Sequence, residues 1–299
     1  MWFRNLQIYR LPKTPPLSAE ALEAALAAAT LQPCAASSAQ SLGWVAPCAS
    51  GALVHIVNRC WLMALGVEQK LLPAAVVKDA AHERARAIEE SQGRRVGRKE
   101  LRELREAMTQ ELLPRAFVCR KTIFGWIDPV NGWLVVDAAS PATAELFLEH
   151  LRKSAETLKV SLLKVEQSPS SAMTGWVAEG DAAAGFTLDQ DLELRSAENA
   201  AIRYVKHTLE GKEIREHIAE GKIVTRVALT WNDRISFLLD DKLQIKRLAF
   251  LDVLKEASDG QAENEDERFD LDFALMSGEV ANLLADLVAA LGGETAETR

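Results

Sequence analysis

Six cationic side chains crowd into one short segment: Arg94, Arg95, Arg98, Lys99, Arg102 and Arg105. Guanidinium forks at this density suit the grip of phosphate oxygens. Helical spacing turns Arg95, Arg98 or Lys99, Arg102 and Arg105 outward together. The same pattern also describes a solvated helix with internal pairs, such as Glu100 with Arg105 or Arg102 with Glu106. A second basic set is Lys206, His207, Lys222, Arg226, Arg234, Lys246 and Arg247. It lies in strand-like sequence, where alternation can line one sheet face with cations. A third feature is Leu112-Leu113-Pro114-Arg115-Ala116-Phe117, a ring and a cation at a helix end. It reads equally as a wedge or partner contact and as a buried hinge.

Catalytic patterns are missing. Gly211-Lys212 and Gly221-Lys222 lack the flanking residues of a phosphate loop, and His82-Glu83 is not followed by a second metal-binding histidine. No G-x-S-x-G elbow occurs. The five histidines are scattered, and Cys34, Cys48, Cys60 and Cys119 form no C-x-x-C pair. In a reducing compartment those cysteines are expected to behave as small buried apolar groups. The acids Glu263, Glu265, Asp266, Glu267, Asp270 and Asp272 could hold Mg²⁺ in a nuclease-like site, but a solvated loop is the ordinary reading. We therefore expect no enzyme, cofactor or metal.

A net charge of −8 seems to exclude a polyanionic partner. The charge is unevenly spread, however. Residues 251–299 hold 13 acids and 3 bases, whereas residues 59–129 hold 14 bases against 10 acids. Such a chain can offer a basic surface while its acidic remainder keeps it soluble. Hydrophobic residues make up 48% and charged residues 26%, an ordinary globular composition. The longest apolar run, Cys60 to Val67, falls well short of the ~20 residues of a membrane span. The N-terminal Met-Trp-Phe-Arg-Asn does not fit a signal peptide, so a cytoplasmic location without membrane contact is expected.

These side chains need elements to position them. Trp2–Leu11 reads as a strand stopped by Pro12, Pro15 and Pro16, and Ser18 caps a following helix. Gly43–Val45 and the run Leu53–Leu65 read as strands. Residues 74–113 change to helical period, with Ser91-Gln92-Gly93 dividing them into a hairpin of two helices. Leu101, Leu104, Met108 and Leu112 form the apolar stripe of the second helix, opposite the basic face. Its polar outside predicts that the hairpin projects from the body. Strands Thr122–Ile127 and Trp133–Asp137 should be joined through Asp128-Pro129-Val130-Asn131-Gly132, where Asn-Gly is a strong hairpin signal because both residues tolerate positive φ. A helix capped by Ser140 should run to about Leu158, with a strand at Val160–Val165. Ser168-Pro169-Ser170-Ser171 reads as a domain boundary. Beyond it come a strand (Ile202–Val205), a helix (Gly211–Ala219) and three strands, Ile223–Trp231, Arg234–Leu239 and Gln244–Phe250. An acidic mobile loop over Ser258–Glu267 precedes a helix from Phe273 to Leu291. The class is α+β, with largely antiparallel sheets, packed helices and a projecting helical hairpin.

Several segments resemble the RdgC family of proteobacterial recombination-associated proteins. They are WFRNLQIYRL at the start, GWVAP at 43–47, KLLP at 70–73, LLPRAF at 112–117 and LRKS at 151–154. GKIVTRVALTW at 221–231, IKRLAFLD at 245–252 and the LMSGEVANLL…LGGE ending continue the series in family order to about residue 294. The resemblance implies a ring-shaped homodimer encircling double-stranded DNA with little sequence preference, with single-stranded DNA as a further candidate partner. It also implies restraint of the RecA recombinase, a role in fork repair and association with the nucleoid. Three regions follow from it: a centre (1–73 and 114–167), a helical tip (74–113) and a base with dimer contacts (168–299). Phe117 matches the family's functional tip phenylalanine, Arg115 is its neighbour, and Arg94 falls among the finger's basic residues. Lys206 and His207 match a Lys-Gln pair at the base interface, with His in place of Gln. DNA contacts are expected from Arg94, Arg95, Arg98, Lys99, Arg102, Arg115, Lys222, Arg226, Arg234, Lys246 and Arg247. The alternative is a protein-interaction module acting on the recombinase directly, with DNA binding secondary.

Overall fold

The computed structural model describes residues 1–12, 17–252, 254 and 262–295. In chain order the elements begin with β1 (Leu6–Arg10), α1 (Ala19–Ala27), β2 (Gln40–Val45), β3 (His55–Val57) and β4 (Cys60–Leu71). The helices α2 (Ala74–Gln92) and α3 (Arg98–Leu112) follow, then β5 (Phe117–Asp128), β6 (Trp133–Asp137), α4 (Pro141–Ser154) and β7 (Ser161–Leu162). The last third holds α5 (Pro169–Glu179), β8 (Phe186–Arg195), β9 (Ala201–Tyr204), α6 (Lys212–Ala219), β10 (Ile223–Trp231), β11 (Ile235–Asp240), β12 (Ile245–Phe250) and α7 (Glu265–Ala290). The expected α+β class with antiparallel pairing holds. The chain forms two compact units. One comprises Met1–Leu26, Ala46–Ala64 and Ile123–Arg299, the other Ala27–Val45 and Leu65–Thr122.

In the first unit the strands run in the order β5-β6-β1-β12-β11-β10-β8-β9. Val224, Val227, Leu229 and Trp231 of β10 are buried in one cluster with Met173 and Val177 of α5 and Phe273, Met276, Val280, Leu284 and Leu287 of α7. By length and composition α7 could cross a membrane, but half of it is buried inside the protein, as befits a core helix. At the other end of the sheet, Gly125 leaves room for the Phe147 ring of α4. A Cβ there would lie 2.6 Å from it.

Several local expectations change. The Leu53–Leu65 run is two strands, because Asn58 and Arg59 both take positive φ and turn β3 back onto β4. The β5–β6 turn uses positive φ only at Gly132. The Asp128 carboxylate does the remaining work, accepting from the N–H groups of Val130 (2.9 Å) and Asn131 (3.0 Å). Ser140 caps α4 as expected, but that helix stops at Ser154, and the strand expected over Val160–Val165 is only Ser161–Leu162. The Ser168-Pro169-Ser170-Ser171 stretch is the capped start of α5, inside the first unit: Ser168 Oγ accepts from Ser171 N–H. The long strand β8 was not expected, since Asp189-Gln190-Asp191 breaks its apolar alternation. Of the expected acidic loop, residues 258–261 lie outside the described residues, while Glu265, Asp266 and Glu267 form the first turn of α7. Asn264 caps that turn, where acids meet the positive end of the helix dipole. Of the four cysteines only Cys60 is buried, and burial with the nearby Asp128 charge pushes its thiol up to about 11.

In the second unit β2 lies beside β4. The loop leading into β2 is held from β4: Lys70 Nζ donates to the carbonyls of Ala35 (2.8 Å) and Ala36 (2.6 Å), and Glu68 accepts from Cys34 N–H at 2.9 Å. Helices α2 and α3 pack against each other as the expected hairpin. Gly93 ends α2 in a left-handed conformation, φ 62°, donating to the Glu89 carbonyl. Only Ala81 and Ala85 of α2 are buried, and no residue of α3 is. The stripe Leu101, Leu104, Met108 and Leu112 is half-buried.

Candidate nucleic-acid interface

The hairpin's cations fall into two groups. Arg94 is locked to Glu100 by two parallel bonds of 2.6 and 2.7 Å, and its Nε donates to Gln92 at 2.8 Å. Those bonds hold the Glu100 carboxyl below its ordinary range. With Glu89, which accepts from Val96 N–H at 2.7 Å, they fasten the connection between the helices. Arg102 pairs with Glu106 at 3.1 Å, one of the internal pairs the sequence allows. Arg95, Arg98, Lys99 and Arg105 are exposed and make no ion pair among the described residues. Arg98, Lys99 and Arg105 are the accessible charge of α3, whereas Arg95, expected at helical spacing with them, lies in the connection before the helix begins at Arg98.

A single 3₁₀ turn, Leu113–Arg115, leads from α3 into β5. Leu113 is buried and anchors it, Arg115 is exposed, and Phe117 is 84% exposed. The hinge reading of that ring is thereby replaced: the ring stands in solvent. Val118, Leu71 and Val76 of the same unit are also exposed.

The strand-rich set behaves differently, because nearly every cation has a carboxylate. Lys222 pairs with Glu220 (2.5 Å), Arg226 with Glu193 (3.4 Å) and Arg234 with Glu279 (3.0 Å). Lys246 pairs with Asp240 (3.2 Å) and Arg247 with Asp191 (2.9 Å). Lys206 is exposed at φ 52°, its N–H held by Asp191 at 3.0 Å. His207 lies 5.3 Å from the Tyr204 ring and 3.8 Å from Glu213. Register puts Arg226 and Lys246 on one sheet face with Glu193 and Asp240. Lys222 lies instead at the end of α6, and Arg234 is tied to α7.

The centre of that face was missed in the sequence. Glu193 is buried, and around it stand Arg195 (2.9 Å) and Arg203 (2.7 Å) besides Arg226. Burial alone would raise the Glu193 carboxyl, but the hydrogen bonds from Arg195 and Arg203 and the charges of Arg226 and Arg203 outweigh it and leave it lowered. The signal was present in part: Glu193 and Arg195 alternate with the apolar Leu192 and Leu194.

Of the acids that could hold Mg²⁺, Glu263 precedes α7 and Glu265, Asp266, Glu267, Asp270 and Asp272 lie in its first turns. Asp270 bonds His55 at 2.6 Å and Asp272 bonds the N-terminal amine at 2.8 Å. Among the described residues no group of three or more His, Cys, Asp or Glu is arranged to hold a metal ion.

Comparison with known proteins covers nearly the whole chain. Residues 1–294 match the family model described as "Putative exonuclease, RdgC". A Recombination-associated protein RdgC from Dechloromonas aromatica is 50% identical, with 100% of both chains covered. Its namesake from Herminiimonas arsenicoxydans is 52% identical, covering 99% of this chain and 100% of that one. The one from Janthinobacterium sp. is also 52% identical, covering 98% and 99%. Agreement of this extent, over the same segments that carry the basic hairpin and the exposed phenylalanine, is decisive: the chain belongs to the RdgC family.

Proposed function

We propose that the protein binds double-stranded DNA without sequence preference and acts in recombination and fork repair by restraining the RecA recombinase. In this reading two copies close into a ring around the duplex, associated with the nucleoid in the cytoplasm. It is a binding protein rather than a nuclease. The observation that carries the reading is the hairpin's exposed cations Arg95, Arg98, Lys99 and Arg105, without an ion pair among the described residues, in a chain whose net charge is −8. Cations left without carboxylates on a solvated helix are available to phosphates, and such contacts carry no base readout. A ring needs none, since enclosure slows dissociation while each contact stays weak.

The test is fluorescence anisotropy on random-sequence duplexes of about 30 base pairs across a salt series, with the oligomeric state measured alongside. Affinity should fall by ~0.9 on a log–log scale per phosphate neutralised, equally for unrelated sequences. A flat response at low salt would sink the proposal. Incubation of labelled duplex with Mg²⁺ should leave it intact; cleavage abolished by Asp270→Ala would restore the nuclease reading.

A second reading has its own observation. Phe117, 84% exposed beside Arg115, is the kind of side chain a protein partner buries. A Phe117→Ser variant that keeps full DNA affinity yet no longer restrains the recombinase would favour direct interaction.

A further inference from the structure

The outer face of the β9–β8–β10–β11 ribbon carries one rung of alternating charge. Cross-strand partners run Arg203, Glu193, Arg226, Asp240, each directly opposite the next. Directly opposed residues of antiparallel strands share a face. Arg195, two residues along from Glu193, joins them, as does Lys246 through its bond to Asp240. The rung exists because β10 contains a bulge. Val224 faces Leu194 and Arg226 faces Glu193, so Thr225 is an extra residue. With regular pairing Arg226 would oppose Leu192 and point into the core.

The bulge is built in. Helix α5 reaches Val224 from both sides: Thr174 Oγ1 accepts its N–H at 2.9 Å and Ser170 Oγ donates to its carbonyl at 2.7 Å. Thr225 Oγ1 donates to Glu193 Oε1 at 3.3 Å. Three guanidiniums against one carboxylate leave two positive charges in surplus. Each guanidinium has five N–H donors, and Glu193 accepts from only a few of the fifteen. The side chains of Arg195, Arg203 and Arg226 are 39, 63 and 38% exposed. Beside Arg203 and Arg226 is a cavity of about 180 Å³ whose charged lining is Arg203, Arg226 and Arg247 against Asp191 and Glu193.

We infer that this hub is a seat for a backbone phosphate of duplex DNA, in which Arg195, Arg203 and Arg226 hold the phosphate oxygens and the buried Glu193 acts as their positioning residue. The inference rests on the DNA-binding reading above and adds a site to it. Glu193 fixes the guanidinium forks before the anion arrives, so that less side-chain freedom is lost on binding.

The sign of one substitution separates this role from its opposite. Glu193→Gln makes the chain one charge more positive. Were Glu193 only an acid repelling the polyanion, the variant would bind duplex more tightly. As a positioning residue, its loss weakens binding by about threefold to tenfold despite the added charge. Arg195→Gln and Arg203→Gln remove exposed cations and each should lower the salt slope by ~0.9. The experiment titrates the full-length protein and these variants against the same random 30-base-pair duplex, with circular dichroism confirming the fold. Should Glu193→Gln fail to fold, the two arginine variants decide. An unchanged salt slope in folded Arg195→Gln and Arg203→Gln, or tighter binding by folded Glu193→Gln, overturns the hub while the wild-type response stands. A wild-type protein that binds no duplex removes the DNA reading itself.

Discussion

The two units carry comparable basic stretches and treat them in opposite ways. Around α3, Arg95 just before the helix and Arg98, Lys99 and Arg105 on it stand exposed without an ion pair among the described residues, and the helix buries no residue. On β10–β12, Arg226, Arg234, Lys246 and Arg247 are each held by an acid, and their strands are packed through buried α5 and α7 side chains. Charge counted from sequence is therefore not charge available to a partner. The hairpin offers exposed cations that no described carboxylate holds in place. The sheet offers fewer, already oriented. Under the DNA-binding reading proposed above, the first would suit capture and the second a fixed contact.

The comparison can be broken most severely at the hairpin. Reversing Arg95, Arg98 and Lys99 to Glu should lower duplex affinity by about a hundredfold or more near physiological salt, and flatten the slope by at least ~2.7. An effect below about threefold would mean that the exposed helix is not the main contact. The packing contrast should be nearly as plain. Leu284→Ala in α7 should cost about 2–5 kcal/mol in chemical unfolding, whereas Leu104→Ala on the half-buried stripe should cost roughly 1. Comparable losses would contradict the difference in burial.

A finer test sets partnered against free arginine within the hairpin. Arg98→Gln should lower the salt slope by ~0.9, while Arg94→Gln should leave it unchanged, because Arg94 already serves Glu100. Equal effects would show that the pair opens for DNA. Acidity probes the sheet. The Glu193 carboxyl is lowered in the folded protein, so it contributes stability at and above its ordinary value of 4.5, and that stability is lost as pH falls through the lower folded value. Thermal melts of the wild type and Glu193→Gln should therefore converge as pH drops below 4.5. A constant gap would argue against an ionised hub. The smallest effect belongs to Phe117→Ser: with the ring 84% exposed, stability should change by less than about 0.5 kcal/mol, even if function is lost.

Much of this was legible in the sequence, and the failures have common causes. Regular periodicity gave the hairpin, the Ser140 cap and β10 at their observed places. The misreadings came where the period breaks. In β10 the buried positions 224, 227 and 229 skip a beat at Thr225, and in β8 three polar residues interrupt the apolar ones. Each irregularity adjoins the Glu193 hub: the one in β8 hid that strand, and the bulge in β10, whose bounds were read correctly, hid which face Arg226 shares with Glu193. The Ser168-Pro169-Ser170-Ser171 stretch misled for another reason: residues typical of linkers also cap helices, and Ser170 is there for a carbonyl on β10. Ion pairing was read only in part: Arg102 pairs with Glu106 as the spacing allows, but Glu100 takes Arg94 rather than the expected Arg105, because the chain turns at Gly93 between the helices.

That α3 buries no side chain has a consequence for its exchange with solvent. A segment anchored by so little apolar surface opens locally at a small fraction of the free energy needed to unfold the whole. The backbone amides of α3 should therefore take up deuterium well before those of β10 or α7. If the proposed reading holds, bound duplex would slow that uptake and the hairpin would report its own engagement, with part of the energy of the phosphate contacts spent on ordering it.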